Sequence, residues 1–194
     1  MKIGEAQQIY REQVKEYQTQ KAVVSKQLQD VKNRMKYSPN ESDGSEAVIL
    51  ELTLDALNEK QTEYQDYLNK LTEQYCARWN AVVADQQADT AKEYAVEMGK
   101  IMEVARRIMK GGIVPASDEK KLMEFSMEMY QMAKNIGSMV QRQKKEEYDT
   151  LWGEKEEKKE YEDPQKAAEN ASVSSQGPEV VDAADTIASV ATEE

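Results

Sequence analysis

The sequence predicts an all-α protein, an elongated set of antiparallel helical hairpins or a coiled-coil-like bundle of three to four long helices. Three observations carry that prediction. Apolar residues and tyrosines recur at 4–3 spacing through most of the first 139 positions, the signature of a helix stripe rather than of an alternating strand. The 8 Gly and 4 Pro of the 194 residues gather at a few points and leave long uninterrupted stretches between them. Leu, Ile, Val and Phe together supply only 33 residues, too few for a thick core but enough for a stripe on each of several paired helices.

The first helix is expected over about 3–37. Ile3, Tyr10, Tyr17, Val24 and Val31 repeat every seven residues, and Gln7, Val14, Lys21, Leu28 and Met35 fall between them. Five such heptads describe a coiled-coil seam, with Gln7 and Lys21 as polar interruptions of the kind that set register. Ser38-Pro39-Asn40-Glu41-Ser42-Asp43-Gly44 is a turn cluster.

The second helix is expected over about 45–110 and would measure roughly 100 Å if unbroken. Its first half carries Leu50, Leu54, Leu57, Gln61, Tyr64, Leu68, Leu71 and Tyr75. Its second half carries Ala84, Ala88, Ala91, Ala95, Met98, Met102, Ala105 and Met109, out of phase with the first. The phase shift, with Thr90 and Glu93 placed as a capping box, leaves a stutter or a break near 78–90 as alternatives. Gly111 and Gly112 stop this helix, and Ser117 is placed to cap a third over 117–152, with Leu122, Phe125, Met129, Met132, Ile136 and Met139 as its stripe. Helix one folds back on the start of helix two, and helix three on its end. Gly137 then falls opposite about residue 90, where the alanines Ala77 to Ala95 let the helices approach closely.

Residues 1–153 read as one helical domain and 154–194 as a disordered acidic tail. The tail holds 4 Lys against 12 Asp and Glu and little that can be buried. Within it Val180, Ala184, Ile187 and Ala191 keep helical spacing, so a short amphipathic helix could form there on a partner.

Composition also bears on function. The absence of His removes Ser-His-Asp and Cys-His catalysis, zinc motifs and the Glu-x-x-His di-iron set; the single Cys76 removes internal disulfides and cysteine clusters. A net charge of −11 argues against nucleic acid as a partner. No phosphate-cradling glycine loop, signal-peptide apolar region or membrane-spanning run is present. The expectation is a cytoplasmic, non-enzymatic protein with no cofactor and no metal.

What remains is protein binding. Residues 1–37 hold 8 basic and 4 acidic residues and 38–110 hold 8 and 14, so the first two helices are expected to pair with help from cross-helix charges. Eight of the ten methionines lie in 98–139: Met98, Met102, Met109, Met123, Met127, Met129, Met132 and Met139. Methionine is soft and adapts to varied partners, so this hairpin, with or without the tail, is the candidate partner-binding surface. In composition the chain resembles small acidic helical proteins such as secretion and flagellar chaperones, phage scaffolding proteins and coiled-coil adaptors. The functional expectation is an adaptor or an export or assembly chaperone. The alternative is a self-associating structural or scaffolding coiled coil, a homo-oligomer closed through Ala84, Ala88, Ala91 and Ala95.

Overall fold

The computed structural model describes residues 1–37, 40–140, 145–153 and 159–192, the side chain of Ala191 excepted. Ser38 and Pro39 of the first turn, 141–144 of the expected third helix, and the 154–158 and 193–194 parts of the acidic tail lie outside these. The fold is all-α: α1 (Ile3–Tyr37), α2 (Glu41–Met109), α3 (Ala116–Phe125), α4 (Met127–Met139), α5 (Pro164–Asn170) and α6 (Ala183–Thr192). Among the described residues the only β pairing is two isolated bridges, Lys2 with Ser172 and Ile113 with Glu147. The chain divides into two units, Met1–Val83 with Glu162–Glu194, and Ala84–Tyr161. One helical domain followed by a separate tail is therefore not how it divides.

In unit 1 the predicted heptad is the core. Ile3, Tyr10, Tyr17, Val24 and Val31 are each 4 % exposed or less. Tyr10, Tyr17 and Val24 share one cluster with a stripe of α2 in which Leu57, Tyr64, Leu68 and Leu71 are buried and Leu50 and Leu54 pack at the edge. One polar seam position of α1 meets the polar seam position of α2: Lys21 Nζ donates to Gln61 Oε1 at 2.8 Å. Lys32 pairs with Glu51 at 2.7 Å and Arg34 with Glu46 at 2.6 Å, the cross-helix charge pairing expected from the opposite balances of α1 and α2. These pairs are exposed and supply register more than stability.

α2 runs without a break through 78–90. Thr90, read as a cap, instead donates its hydroxyl to the carbonyl of Gln86 at 2.9 Å, inside the helix, so its backbone needs no second helix start. α2 ends where the sequence said it would. Gly111 takes φ +77°, a left-handed turn that disfavours any side chain. Its N–H donates to Ile108 O at 2.9 Å, and that of Gly112 to Arg107 O at 3.1 Å.

Unit 2 departs further from the expected pattern. The buried face of α2 here is Ile101, Val104, Ala105 and Ile108, not the alanine row. Ala77, Ala81, Ala84, Ala88, Ala91 and Ala95 are all exposed. Gly137 does make a close helix approach, but against the carbonyl of Ile108, which any Cβ at 137 would overlap. The single third helix over 117–152 is two short ones. Ser126 sits between them with φ −158° and ψ 109°, extended backbone, and its hydroxyl accepts from the N–H of Met129 as an N-cap. α3 starts on Pro115, without a side-chain cap, so Ser117 does not cap it; Ser117 Oγ bonds Asp118 Oδ1 at 3.0 Å instead. α4 ends at Met139, and residues 145–153 carry no helix.

Candidate interaction site

Of the segment read as a disordered tail, residues 159–192 are described, and from Glu162 on they belong to unit 1 and dock on its α1–α2 hairpin. Its own side chains supply little of the attachment. Ala167, Ala168, Ala183 and Thr186 are buried, and Val173 and Ile187 pack at the edge of the core. The stripe that turns inward on α6 is thus Ala183, Thr186 and Ile187, whereas Val180 and Ala184 are exposed.

The hairpin supplies the rest through tyrosines. Tyr10 and Tyr17 on α1 and Tyr64 and Tyr67 on α2 form one ring cluster, with Tyr10–Tyr67 centroids 4.7 Å apart and Tyr17–Tyr64 centroids 5.4 Å apart, edge to face. All four hydroxyls reach the main chain of the returning segment. Tyr67 donates to Ser175 O at 2.9 Å, Tyr10 to Pro178 O at 2.6 Å, and Tyr64 to Glu179 O at 3.0 Å. Tyr17 donates to Val181 O at 3.0 Å and lies 2.6 Å from Thr186 Oγ1. The N–H of Val181 donates back to the Tyr64 hydroxyl at 2.9 Å. Each neutral bond of this kind is worth about 1 kcal/mol net, so the set holds the segment with several kcal/mol at most.

Gly177 lies beneath two of the rings. A Cβ there would overlap the Tyr10 hydroxyl and come within 2.6 Å of Tyr67 Cε1. Burial pushes the Tyr17 phenol up to about 12 and raises Tyr10 and Tyr67 as well, so these hydroxyls stay neutral donors across the ordinary pH range. The upstream end is fixed at the chain's beginning, where Ile3 N–H donates to Ala171 O at 2.9 Å and Lys2 Nζ to Asn170 Oδ1 at 2.8 Å.

Unit 2 holds its own returning segment, residues 146–152, with charged groups. Asp118, 1 % exposed in the first turn of α3, accepts from Thr150 Oγ1 at 2.6 Å and from Leu151 N–H at 3.0 Å. Trp152 Nε1 donates to Glu97 Oε2 at 2.7 Å, and Lys121 Nζ lies 4.1 Å above the Trp152 ring centre and 3.3 Å from Glu97 Oε1. Burial opposes ionisation of Glu97, but the bonds from Trp152 and Lys121 outweigh it and its pKa is lowered.

The eight methionines do not share one surface. Met109 and Met129 pack on the unit 2 core, and Met98 and Met123 are half-buried. Met102, Met127, Met132 and Met139 are 48 %, 51 %, 58 % and 81 % exposed. On α4, Met132, Ile136 and Met139 follow one another at i, i+4 and i+7 and all are exposed, a helix face with no cover among the described residues. Four of the six residues of the predicted stripe, Phe125, Met132, Ile136 and Met139, therefore point to solvent, while Leu122 and Met129 pack on the core together with Ala133, which lies outside that stripe. Ala84, Ala88, Ala91 and Ala95 are exposed too, and Cys76 is exposed and unpaired.

The tyrosine cradle is the feature that the sequence reading missed. A signal for it exists: Tyr10, Tyr17 and Tyr64 occupy seam positions where Leu would pack better, and a buried phenol needs a partner for its hydroxyl. Among the described residues no three His, Cys, Asp or Glu converge as a metal site, and no helix is long and apolar enough to cross a membrane. No family model matches the chain, and neither the curated proteins nor the solved structures include one with significant similarity to it.

Proposed function

We propose that the chain is a non-enzymatic protein-binding module of the adaptor or export and assembly chaperone type, which holds an apolar helical segment of its partner on α4. The observation that carries this is the exposed row Met132, Ile136 and Met139. Three large apolar side chains on one helix face, flexible at two of the three positions, suit a surface that repacks around a partner helix.

A second reading has its own observation. The row Ala84, Ala88, Ala91, Ala95 is exposed along about three turns of α2, and small residues allow a second copy to lie close. On this reading the protein self-associates as a scaffold.

A photo-crosslinking side chain at position 132 of the full chain, in cells that make the protein, separates the two. The binding-module reading expects discrete adducts with another protein that disappear when Ile136→Glu is added. Its failure is the absence of such adducts, or their persistence alongside Ile136→Glu. Light scattering tests the scaffold reading: a mass at a multiple of 22.1 kDa that falls to one chain with Ala88→Glu supports it, and a single-chain mass at high concentration removes it.

A further inference from the structure

We infer that the tyrosine cradle of the α1–α2 hairpin is a second binding site, one that takes an extended polypeptide by its main chain and is filled in cis by residues 173–187. The ligand class it fits in trans is a segment with the pattern of that strap: a glycine followed by proline in extended conformation, then a short helix of small residues. This site is separate from the α4 surface and stands or falls without it.

The argument begins with what the cradle reads. Tyr67, Tyr10, Tyr64 and Tyr17 address the carbonyls of residues 175, 178, 179 and 181, and Val181 returns its N–H to Tyr64. Such bonds recognise a backbone and tolerate many side chains. Beyond the apolar contacts of Val173 and Ile187, selectivity enters at three points. Position 177 has no room for a Cβ beneath Tyr10 and Tyr67. Position 183 is fully buried, which admits a small residue. Position 186 places a hydroxyl 2.6 Å from that of Tyr17. The acidic residues Glu179, Asp182 and Asp185 are exposed, and of these Glu179 joins the hydrogen bond to Glu63 in raising the Lys60 ammonium's pKa, so charge adds only a surface contribution to what the cradle selects.

The strap is also built to be displaced. It is anchored by neutral hydrogen bonds and small side chains, with Val173 and Ile187 its larger apolar residues on the core. Its advantage over a free segment is its tether, which acts as a local concentration on the order of millimolar. An incoming segment of the same pattern competes with that tether and with the packing of Ala183, Val173 and Ile187 on the tyrosine core. Vacated, the cradle offers four clustered tyrosines, each an apolar ring with a polar tip, a composition enriched in protein-binding surfaces.

The test uses full-length protein and a fluorescent synthetic peptide of residues 171–192. Gly177→Val in the full chain ejects the strap without altering the cradle. The peptide should then bind the Gly177→Val chain at least tenfold more tightly than wild type, and a peptide carrying the same Gly177→Val change should bind neither. The inference is overturned if the wild-type peptide fails to bind a Gly177→Val chain that keeps its helical circular dichroism, or if the altered peptide binds as well. Should that variant not fold, wild-type protein gives the answer by hydrogen exchange. Excess peptide must accelerate exchange at the Val181 amide, and unchanged exchange at several millimolar peptide overturns the inference.

Discussion

Two stretches of chain return to dock in this protein, and they are held by different chemistry. On unit 1, residues 173–187 rest on neutral tyrosine hydroxyls that meet main-chain carbonyls. On unit 2, residues 146–152 are held by the buried carboxylate of Asp118 and by the Glu97–Lys121–Trp152 cluster. Charged hydrogen bonds in a buried place are stronger, and they fail more steeply when one partner is removed. Neutral bonds to a backbone are individually weak and interchangeable. The difference suits unit 2 to a permanent clasp and unit 1 to a strap that lets go.

The largest effect should come from the clasp. Asp118→Ala leaves the Leu151 N–H without its acceptor, takes one of two acceptors from the Thr150 hydroxyl, and empties a position whose side chain is 1 % exposed. The expected loss is about 3 kcal/mol of local stability. Hydrogen exchange across 101–152 should speed accordingly, with residues 3–31 unchanged. An equal loss in 3–31 would mean that the two units open together, and the contrast between them would then have no energetic content.

The strap should respond to a smaller change by a smaller amount. Tyr17→Phe keeps the ring in the core but removes the bonds to Val181 O and Thr186 Oγ1. The cost is about 2 kcal/mol, read as a roughly thirtyfold rise in exchange over 178–187 with the α1–α2 seam unaffected. A loss as large as that of Asp118→Ala would place the strap in the same class as the clasp.

These two attachments also differ in how far the sequence foretold them. The α1–α2 seam was legible because it is one-dimensional: residues seven apart share a face, and Ile3, Tyr10, Tyr17, Val24 and Val31 are all buried. In the second half of α2 two stripes competed. The alanine and methionine row kept a regular spacing and its Ala105 and Met109 do join the core, yet the aliphatic Ile101, Val104 and Ile108 supply most of it because they bury more apolar area per residue. The strap was illegible from its own composition, since its attachment belongs to tyrosines more than 100 positions upstream. The α3–α4 break was hidden because the 3–4 stripe runs on unbroken from Phe125 to Met129 across Ser126, and only the cap geometry of Ser126 reveals the stop. Of the candidate site, the exposed Met132 and Met139 were named from sequence and the cradle was not.

Acid and alkali should separate the two attachments most gently of all. Hydrogen bonding from Arg106, joined by Arg107, holds the Glu103 carboxyl down to about 2. Burial works to raise Glu97, and the bonds from Trp152 and Lys121 overcome it and lower its pKa. A carboxylate depressed in the folded state stabilises above its unfolded pKa of about 4.3 and loses that contribution as pH falls through its folded value. Both side chains are partly exposed, so the loss in unit 2 between about pH 4.5 and 2 should stay under about 1 kcal/mol. The Trp152 indole N–H resonance, bonded to Glu97, is its reporter and should shift with a midpoint below that of a free glutamate. The strap moves in the other direction. Tyr17 is raised to about 12 by burial, so the stability linked to its neutral form is complete below its unfolded pKa near 10 and is lost as pH rises toward about 12. Tyrosinate absorbance should therefore show a late-titrating group whose appearance coincides with release of 173–187, and that group should vanish in Tyr17→Phe. If Trp152 and the strap respond together at either extreme, the two attachments are not chemically distinct, and the strap is no more releasable than the clasp.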